Sequence, residues 1–148
     1  MGLFSKIKPN VFNYQGLSIC LDNSFQVDDD NENDNLLILS NDYFVVVNAE
    51  SGDDIVEMGI SSLTSYINAV LQNNGVEDAE IEECDEGETP FYYALYTAEV
   101  EGDEFGYMLT VFEGDEYCYA VIFGCDSKVF EQNVEKFIEW AKTITIDE

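Results

Sequence analysis

Histidine and arginine are absent from this chain, and lysine is nearly so. Lys6, Lys8, Lys128, Lys136 and Lys142 are the only basic residues among 148, against 32 Asp and Glu. Between Pro9 and Ser127 no side chain carries positive charge. Most of the acidic groups therefore have no lysine to pair with. They must be solvated, cap helices or meet a cationic partner. A formal net charge of −27 is unsuited to nucleic acid or an anionic membrane, because both would repel it. A basic protein, a peptide or a divalent cation is compatible. Abundant Asn and Ile and four cysteines argue against a halophilic origin for the acidity.

The missing histidine also removes the commonest general base and the imidazole ligand of zinc sites. Each lysine lies near a terminus or in the last helical pattern, no carboxylate pair stands apart from the many others, and no cysteine has a histidine to activate it. A glycine-rich phosphate loop is lacking. The expectation is a protein that is not an enzyme and takes no cofactor. The alternating Asp28, Asp30, Glu32 and Asp34 invite a calcium reading, but Asn33 stands at the sixth loop position, where an EF-hand needs Gly. Leu39 stands at the twelfth, where it needs Glu. No metal site is expected.

Cys20, Cys84, Cys118 and Cys125 show no C-x-x-C spacing. Reduced thiols are the default reading, and a bond among Cys20, Cys84 and Cys125 stays open. The first ten residues hold no apolar core of signal-peptide length, and Lys6 replaces the Ser or Thr of a myristoylation pattern. No run is long enough to span a bilayer. A cytoplasmic location is expected.

What is present is apolar: 46% of the residues are hydrophobic, which argues against disorder despite the charge. Residues 1–10 read as a tail and 11–148 as one domain. Tyr14 to Asp22 reads as a first strand with Leu17, Ile19 and Leu21 inward. Asp28 to Asn35 is a polar loop. Leu36–Leu39 and Tyr43–Asn48 form a hairpin about Ser40-Asn41-Asp42, and Ser51–Asp54 is a turn. Ile60, Leu63, Tyr66, Ile67, Val70 and Leu71 then make a helical stripe, with Ser61 or Ser62 as N-cap and Gly75 past its end. Acidic residues around Ile81 suggest a weak edge strand. Ser127, as N-cap, opens a final helix to about Thr143, with Phe130, Val134, Phe137, Ile138 and Ala141 on its stripe.

Between these helices lies Phe91 to Cys125, three apolar runs separated by two copies of Glu-Gly-Asp-Glu, at Glu101–Glu104 and Glu113–Glu116. Gly-Asp between β-rich runs signals a two-residue hairpin, so the stretch reads as a three-stranded antiparallel meander. With Gly-Asp as each loop, Phe112 faces Tyr117 and Thr110 faces both Tyr119 and Leu95. One sheet face then carries Tyr93, Leu95, Met108, Thr110, Phe112, Tyr117, Tyr119, Val121 and Phe123. The other carries Ala94, Tyr96, Ala98, Leu109, Val111, Cys118, Ala120 and Ile122, small enough for a helix to approach. The fold class is α+β: an antiparallel sheet with this C-terminal meander and two main helices packed on it, an α/β/α sandwich. Tyr93, Phe112, Tyr117, Tyr119 and Phe123 converge on the first face and are the candidate partner-binding residues.

This order of elements resembles the PsbP-like superfamily. The resemblance runs through GLSICLD near the start, a hairpin, the helix SSLTSYINAVLQNNG, the long meander and the helix VFEQNVEKFIEWAKTI. The superfamily is an α/β/α sandwich shared by photosystem extrinsic subunits, a Ran-binding nuclear import factor and many small bacterial proteins. The resemblance implies a noncatalytic binder, with some bacterial relatives acting as chaperones for type VI secretion effectors. The function expected here is accordingly a binding or chaperone-like domain that presents its aromatic face to a protein or peptide. The alternative is an acidic inhibitor, such as an immunity protein, that neutralises a basic toxin or nuclease through the carboxylates of its turns.

Self-repulsion at this charge is large at low ionic strength, and it is screened as the Debye length falls to about 8 Å at physiological salt. The melting temperature is therefore expected to rise between 10 and 200 mM NaCl. A flat or falling response shows that repulsion is unimportant to stability.

Overall fold

The apolar runs of the meander are long enough to set the size of the whole sheet. In the computed structural model, which describes residues 10–147, they become β7 (Phe91–Val100), β8 (Asp103–Glu113) and β9 (Tyr117–Asp126). β9 pairs on its other side with β5 (Phe44–Ser51), which pairs with β4 (Leu36–Leu39), and β4 with the short β3 (Gln26–Val27). β6 (Glu82–Cys84) closes part of the far edge. The seven strands run β3-β4-β5-β9-β8-β7-β6, and every pairing is antiparallel.

Each face of the sheet is covered by a different layer. On the inner face, Met108, Phe112, Tyr119, Val121 and Phe123 pack with Phe130 and Phe137 of α3 (Ser127–Ala141). The same core takes in Leu17, Ile19 and Leu21 of β2 (Leu17–Leu21). β2 is the middle of a separate sheet, between β1 (Asn10–Tyr14) and β10 (Thr145–Ile146). On the outer face, Ala94, Leu109, Val111 and Ala120 pack with Ile55 of α1 (Gly52–Glu57) and with Tyr66, Ile67 and Leu71 of α2 (Leu63–Asn73). The face with small residues does receive a helix, and the division of the meander into two faces is as the alternation predicts.

Two glycines let rings come close to the sheet. A Cβ on Gly106 would collide with the Phe130 ring on the inner face, and one on Gly124 with the Phe44 ring on the outer face. Any side chain at either position must displace a packed aromatic.

The structure departs from the sequence reading at the turns. The expected first strand is cut by Gln15 (φ 50°) and Gly16 (φ 92°) into the β1–β2 hairpin. Asn10, expected to be the end of the tail, begins β1; the rest of that tail lies outside the described residues. The expected turn at Ser51–Asp54 is the start of α1, with the Ser51 side chain accepting from the Asp54 amide. Asp126, not Ser127, caps α3 by accepting from the Lys128 amide. The edge strand begins just after Ile81. Ser62 and Gly75, by contrast, stand at the ends of α2 as the pattern predicts.

Both meander turns are shifted. Tyr93 pairs with Thr110 and Leu95 with Met108, and Phe112 pairs with Tyr119. Each register differs from the expected one by two residues, and a slip of two leaves every side chain on its own face. The first loop is Glu101-Gly102, both with positive φ (53° and 91°), as a type I′ turn requires. In the second, the Gly114 amide donates to the Tyr117 carbonyl at 2.8 Å, so Asp115 and Glu116 form the loop and neither has positive φ.

The identical tetrapeptides should therefore respond differently to one substitution. Asn tolerates the left-handed region better than Glu. Glu101→Asn is expected to raise stability by a few tenths to about 1 kcal/mol in denaturant melts, whereas Glu113→Asn should not. Equal effects at the two sites contradict the difference in turn geometry.

Candidate functional site

The five rings expected to meet a partner lie on the inner face, and that face is closed. Phe112, Tyr119 and Phe123 are fully buried, and Phe123 stacks on Phe137 of α3 with centroids 5.7 Å apart. The Tyr119 hydroxyl donates to the Gln15 carbonyl in the β1–β2 turn. Tyr93 and Tyr117 are half-buried at the rim, and the Tyr93 hydroxyl donates to Glu82 at 3.0 Å. Thr110, the one polar side chain in the middle of that face, is also sealed, donating to the Val121 carbonyl at 2.8 Å. The expectation of an open aromatic face on these residues is corrected: α3 and the small sheet cover it.

The open aromatic surface is on the other side. α2 has 11 residues, a length of roughly 16 Å at 1.5 Å per residue. β8 also has 11, but extended it reaches roughly 37 Å. One helix of that length cannot roof the strand, and it sits over Ala94, Leu109, Val111 and Ala120. Beyond its reach, pairing places Phe44 opposite Gly124, Tyr107 opposite Tyr96, and Phe105 opposite Ala98. Four rings run across the strands there. Phe44 meets Phe105 and Tyr107 edge-on at 6.2 and 5.7 Å, and Tyr107 stacks on Tyr96 at 5.1 Å and 21°. All four are half-buried. Phe44, Phe105 and Tyr107 belong to neither buried core. Val46 and Leu37 continue the patch onto β5 and β4, and Leu39 is 39% exposed at its edge.

Two clefts adjoin the patch. One, of about 630 Å³, lies between β5–β9 and the α1–α2 region, with Asn48, Glu50, Tyr66, Asn73 and Ile122 in its lining. The Tyr66 hydroxyl donates to Glu50 at 3.0 Å, and burial, reinforced by the Glu50 charge, pushes its pKa far up. The other, of about 610 Å³, opens between the β4–β5 hairpin and the start of α3, with Phe44 and Phe105 on its rim and Asp42 and Asp126 in its wall.

Among the described residues no group of His, Cys, Asp and Glu is arranged to hold a metal ion. In the 28–34 loop, Asp28 accepts from the Asp30 amide at 3.0 Å. Cys20, Cys84 and Cys125 are free thiols, so the bond left open in the sequence does not form. No helix among the described residues is long and apolar enough to cross a membrane.

The layers and strand order define a PsbP-like α/β/α sandwich. Similar solved structures include cyanobacterial PsbP (CyanoP) from Synechocystis sp. PCC 6803, at TM-score 0.67 and 11% identity over 93% of this chain and 91% of that one. LpqN of Mycobacterium tuberculosis, described as involved in cell envelope biogenesis, is similar at TM-score 0.61 and 9% identity over 96% and 92%. A protein of Bacteroides thetaiotaomicron VPI-5482 is similar at TM-score 0.64 and 14% identity over 96% of this chain, which spans 50% of that protein's length. At such identities the likeness is one of fold. No family model and no curated protein matches the sequence.

Sequence reasoning set Tyr96 on the helix-covered face and gave no role to Phe44, Phe105 or Tyr107. The signal lay in the length mismatch between the helical stripe and the strands, together with Phe105 and Tyr107 sharing the parity of Leu109 and Val111.

The Tyr96 hydroxyl reports on this patch. Burial, and then the neighbouring Tyr107, push its pKa up to about 12 from an ordinary 10.0. A raised value in the folded state adds stability below pH 10 that is lost as pH climbs through 12. Absorbance titration of tyrosinate should show a step near pH 12 that disappears in Tyr96→Phe and persists in Tyr66→Phe. A step unchanged in Tyr96→Phe contradicts the assignment.

Proposed function

We propose that this chain is a noncatalytic binding domain that holds a protein or peptide partner against the ring patch of the outer sheet face. The observation that carries the reading is a contiguous set of rings, Phe44, Phe105, Tyr107 and Tyr96, left half-exposed on strands that carry no basic residue. Aromatic rings of this kind dominate the centres of protein interfaces, since they bury large area at low entropic cost. Every residue from Asn10 to Asp126 is neutral or acidic, so a partner with basic residues around an apolar core fits best. Absence of histidine from the sequence, and of any metal-binding group among the described residues, supports binding over catalysis. The free thiols of Cys20, Cys84 and Cys125 favour a reducing compartment such as the cytoplasm.

Selection of a random displayed peptide library on the folded domain, at 50 and 500 mM NaCl, tests this. Recovered peptides should combine Lys or Arg with aromatic or aliphatic residues and keep measurable affinity at high salt. The double variant Phe105→Ser/Tyr107→Ser, checked for an unchanged fold, should weaken them by about 30-fold or more, as loss of a hot spot does. Purely basic peptides that ignore the double variant and dissociate at 500 mM NaCl favour the acidic inhibitor instead, acting through Glu101, Asp103, Glu113, Asp115 and Glu116.

A further inference from the structure

The edge of the sheet beside this patch is unfinished. β6 pairs only with Phe91, Tyr92 and Tyr93, while β7 continues to Val100. From Ala94 to Val100, β7 has β8 on one side and, among the described residues, no strand on the other. The two-residue Glu101-Gly102 loop makes Val100 and Asp103 a hydrogen-bonded pair, and such pairs alternate along an antiparallel ladder. Val100, Ala98, Tyr96 and Ala94 therefore turn their backbone groups toward β8. Leu95, Thr97 and Glu99 turn theirs outward. The same parity holds where β6 is present, since its partners Tyr93 and Phe91 continue that series. Leu95 is 39% and Val100 47% exposed, and Thr97 and Glu99 are exposed too, so this end of β7 is open to solvent.

Where β6 leaves the edge there is a cleft of about 310 Å³, bounded by Asp78, Glu80, Glu82, Leu95 and Val134. Its lining combines the apolar Ala79, Ala94, Leu95 and Val134 with three exposed carboxylates, of which Glu82 already accepts from the Tyr93 hydroxyl. That combination suits the aliphatic stem and terminal charge of a Lys or Arg. A second copy of this chain suits the edge poorly, because each copy brings a charge of −27 and offers no cation from β6, β7 or the loop between them.

We infer that the free edge of β7 receives an extended, lysine- or arginine-bearing segment of a different protein as an added β-strand. The strand lies in line with β6, bonds to the backbone of Leu95, Thr97 and Glu99, and places a basic side chain in the cleft beside Leu95. This deepens the binding-domain reading and rests on it, but needs no ring of the outer patch. Strand addition of this kind draws affinity from main-chain hydrogen bonds and specificity from alternate side chains. The carboxylates that would meet the added strand also keep copies of this domain from pairing edge to edge.

The test uses the acetylated and amidated peptide Lys-Val-Lys-Val-Thr-Val-Lys and the ¹⁵N-labelled domain. Saturating peptide should slow amide exchange of Leu95, Thr97 and Glu99 at least tenfold and leave the even-numbered residues of β7 unchanged. Thr97→Pro removes an outward N–H without touching the β8 ladder, and should keep the fold while weakening binding at least tenfold. Of two peptides N-methylated at alternate amides, one should fail and the other bind as the parent does. Equal binding by both, protection of other residues, or protection of the same amides by self-association without peptide overturns the inference. So does a library-selected peptide that is sensitive to Phe105→Ser/Tyr107→Ser yet never protects Leu95, Thr97 or Glu99; that outcome leaves the patch reading standing. Absence of binding by every peptide, parent and library-selected, removes both readings.

Discussion

The middle of β8, from Met108 to Phe112, has no side that water can reach. Met108, Thr110 and Phe112 on one face and Leu109 and Val111 on the other are all completely buried, and a strand of this kind is stable only with a layer on each side. The rest of the architecture follows from that requirement. α3 and the small sheet supply one layer; α1 and α2 supply the other. Even the polar exception conforms, since the Thr110 hydroxyl is satisfied by the neighbouring strand's backbone, without which its burial would cost about 1–3 kcal/mol. The two layers differ in extent. A fifteen-residue helix and three strands close the inner face, whereas α1 and the short α2 leave the Phe44–Tyr96 end of the outer face in contact with solvent. The candidate binding surface is the remainder of an incomplete covering.

Charge supplies little of the cohesion. Among the described residues the only ion pairs are those of Lys142 with Glu139 and Glu86, at 3.1 and 3.5 Å, on exposed carboxylates. Surface pairs of this sort contribute about 0–1 kcal/mol. Lys136 instead lies 5.4 Å from the Tyr43 ring and 5.9 Å from Trp140, where it covers aromatic surface at the back of α3. Apolar burial and backbone hydrogen bonds therefore hold the fold against its own repulsion. The uncompensated acids instead frame the outer patch and the β7 edge. Both features belong to the β7–β8 hairpin: Tyr96, Phe105 and Tyr107 lie on its face, and Leu95, Thr97 and Glu99 along its rim.

Much of this was legible from residue spacing. Period-two alternation separated the two faces of the meander, and that separation survived an error of two residues in each register, because parity is all that a side chain's face depends on. The stripe from Ile60 to Leu71 and its flanking Ser62 and Gly75 marked α2. Turn chemistry was less legible. Two copies of Glu-Gly-Asp-Glu adopt different loops, the first using Gly102 for its positive φ and the second leaving Gly114 in the ladder, because pairing along the strands on either side decides which residues are left to turn.

By itself the sequence determined the two-faced meander, the helices that flank it, the α+β class and the anionic character of every exposed surface between Asn10 and Asp126, since these depend on local periodicity and on composition. Only the tertiary structure decided which aromatic residues are core and which are surface. Tyr119 and Tyr107 are alike as residues in apolar strands; one is sealed beneath the β1–β2 hairpin and the other lies past the end of α2. That difference rests on where distant elements end and what they reach, a matter of lengths and packing in three dimensions that no local pattern of side chains records.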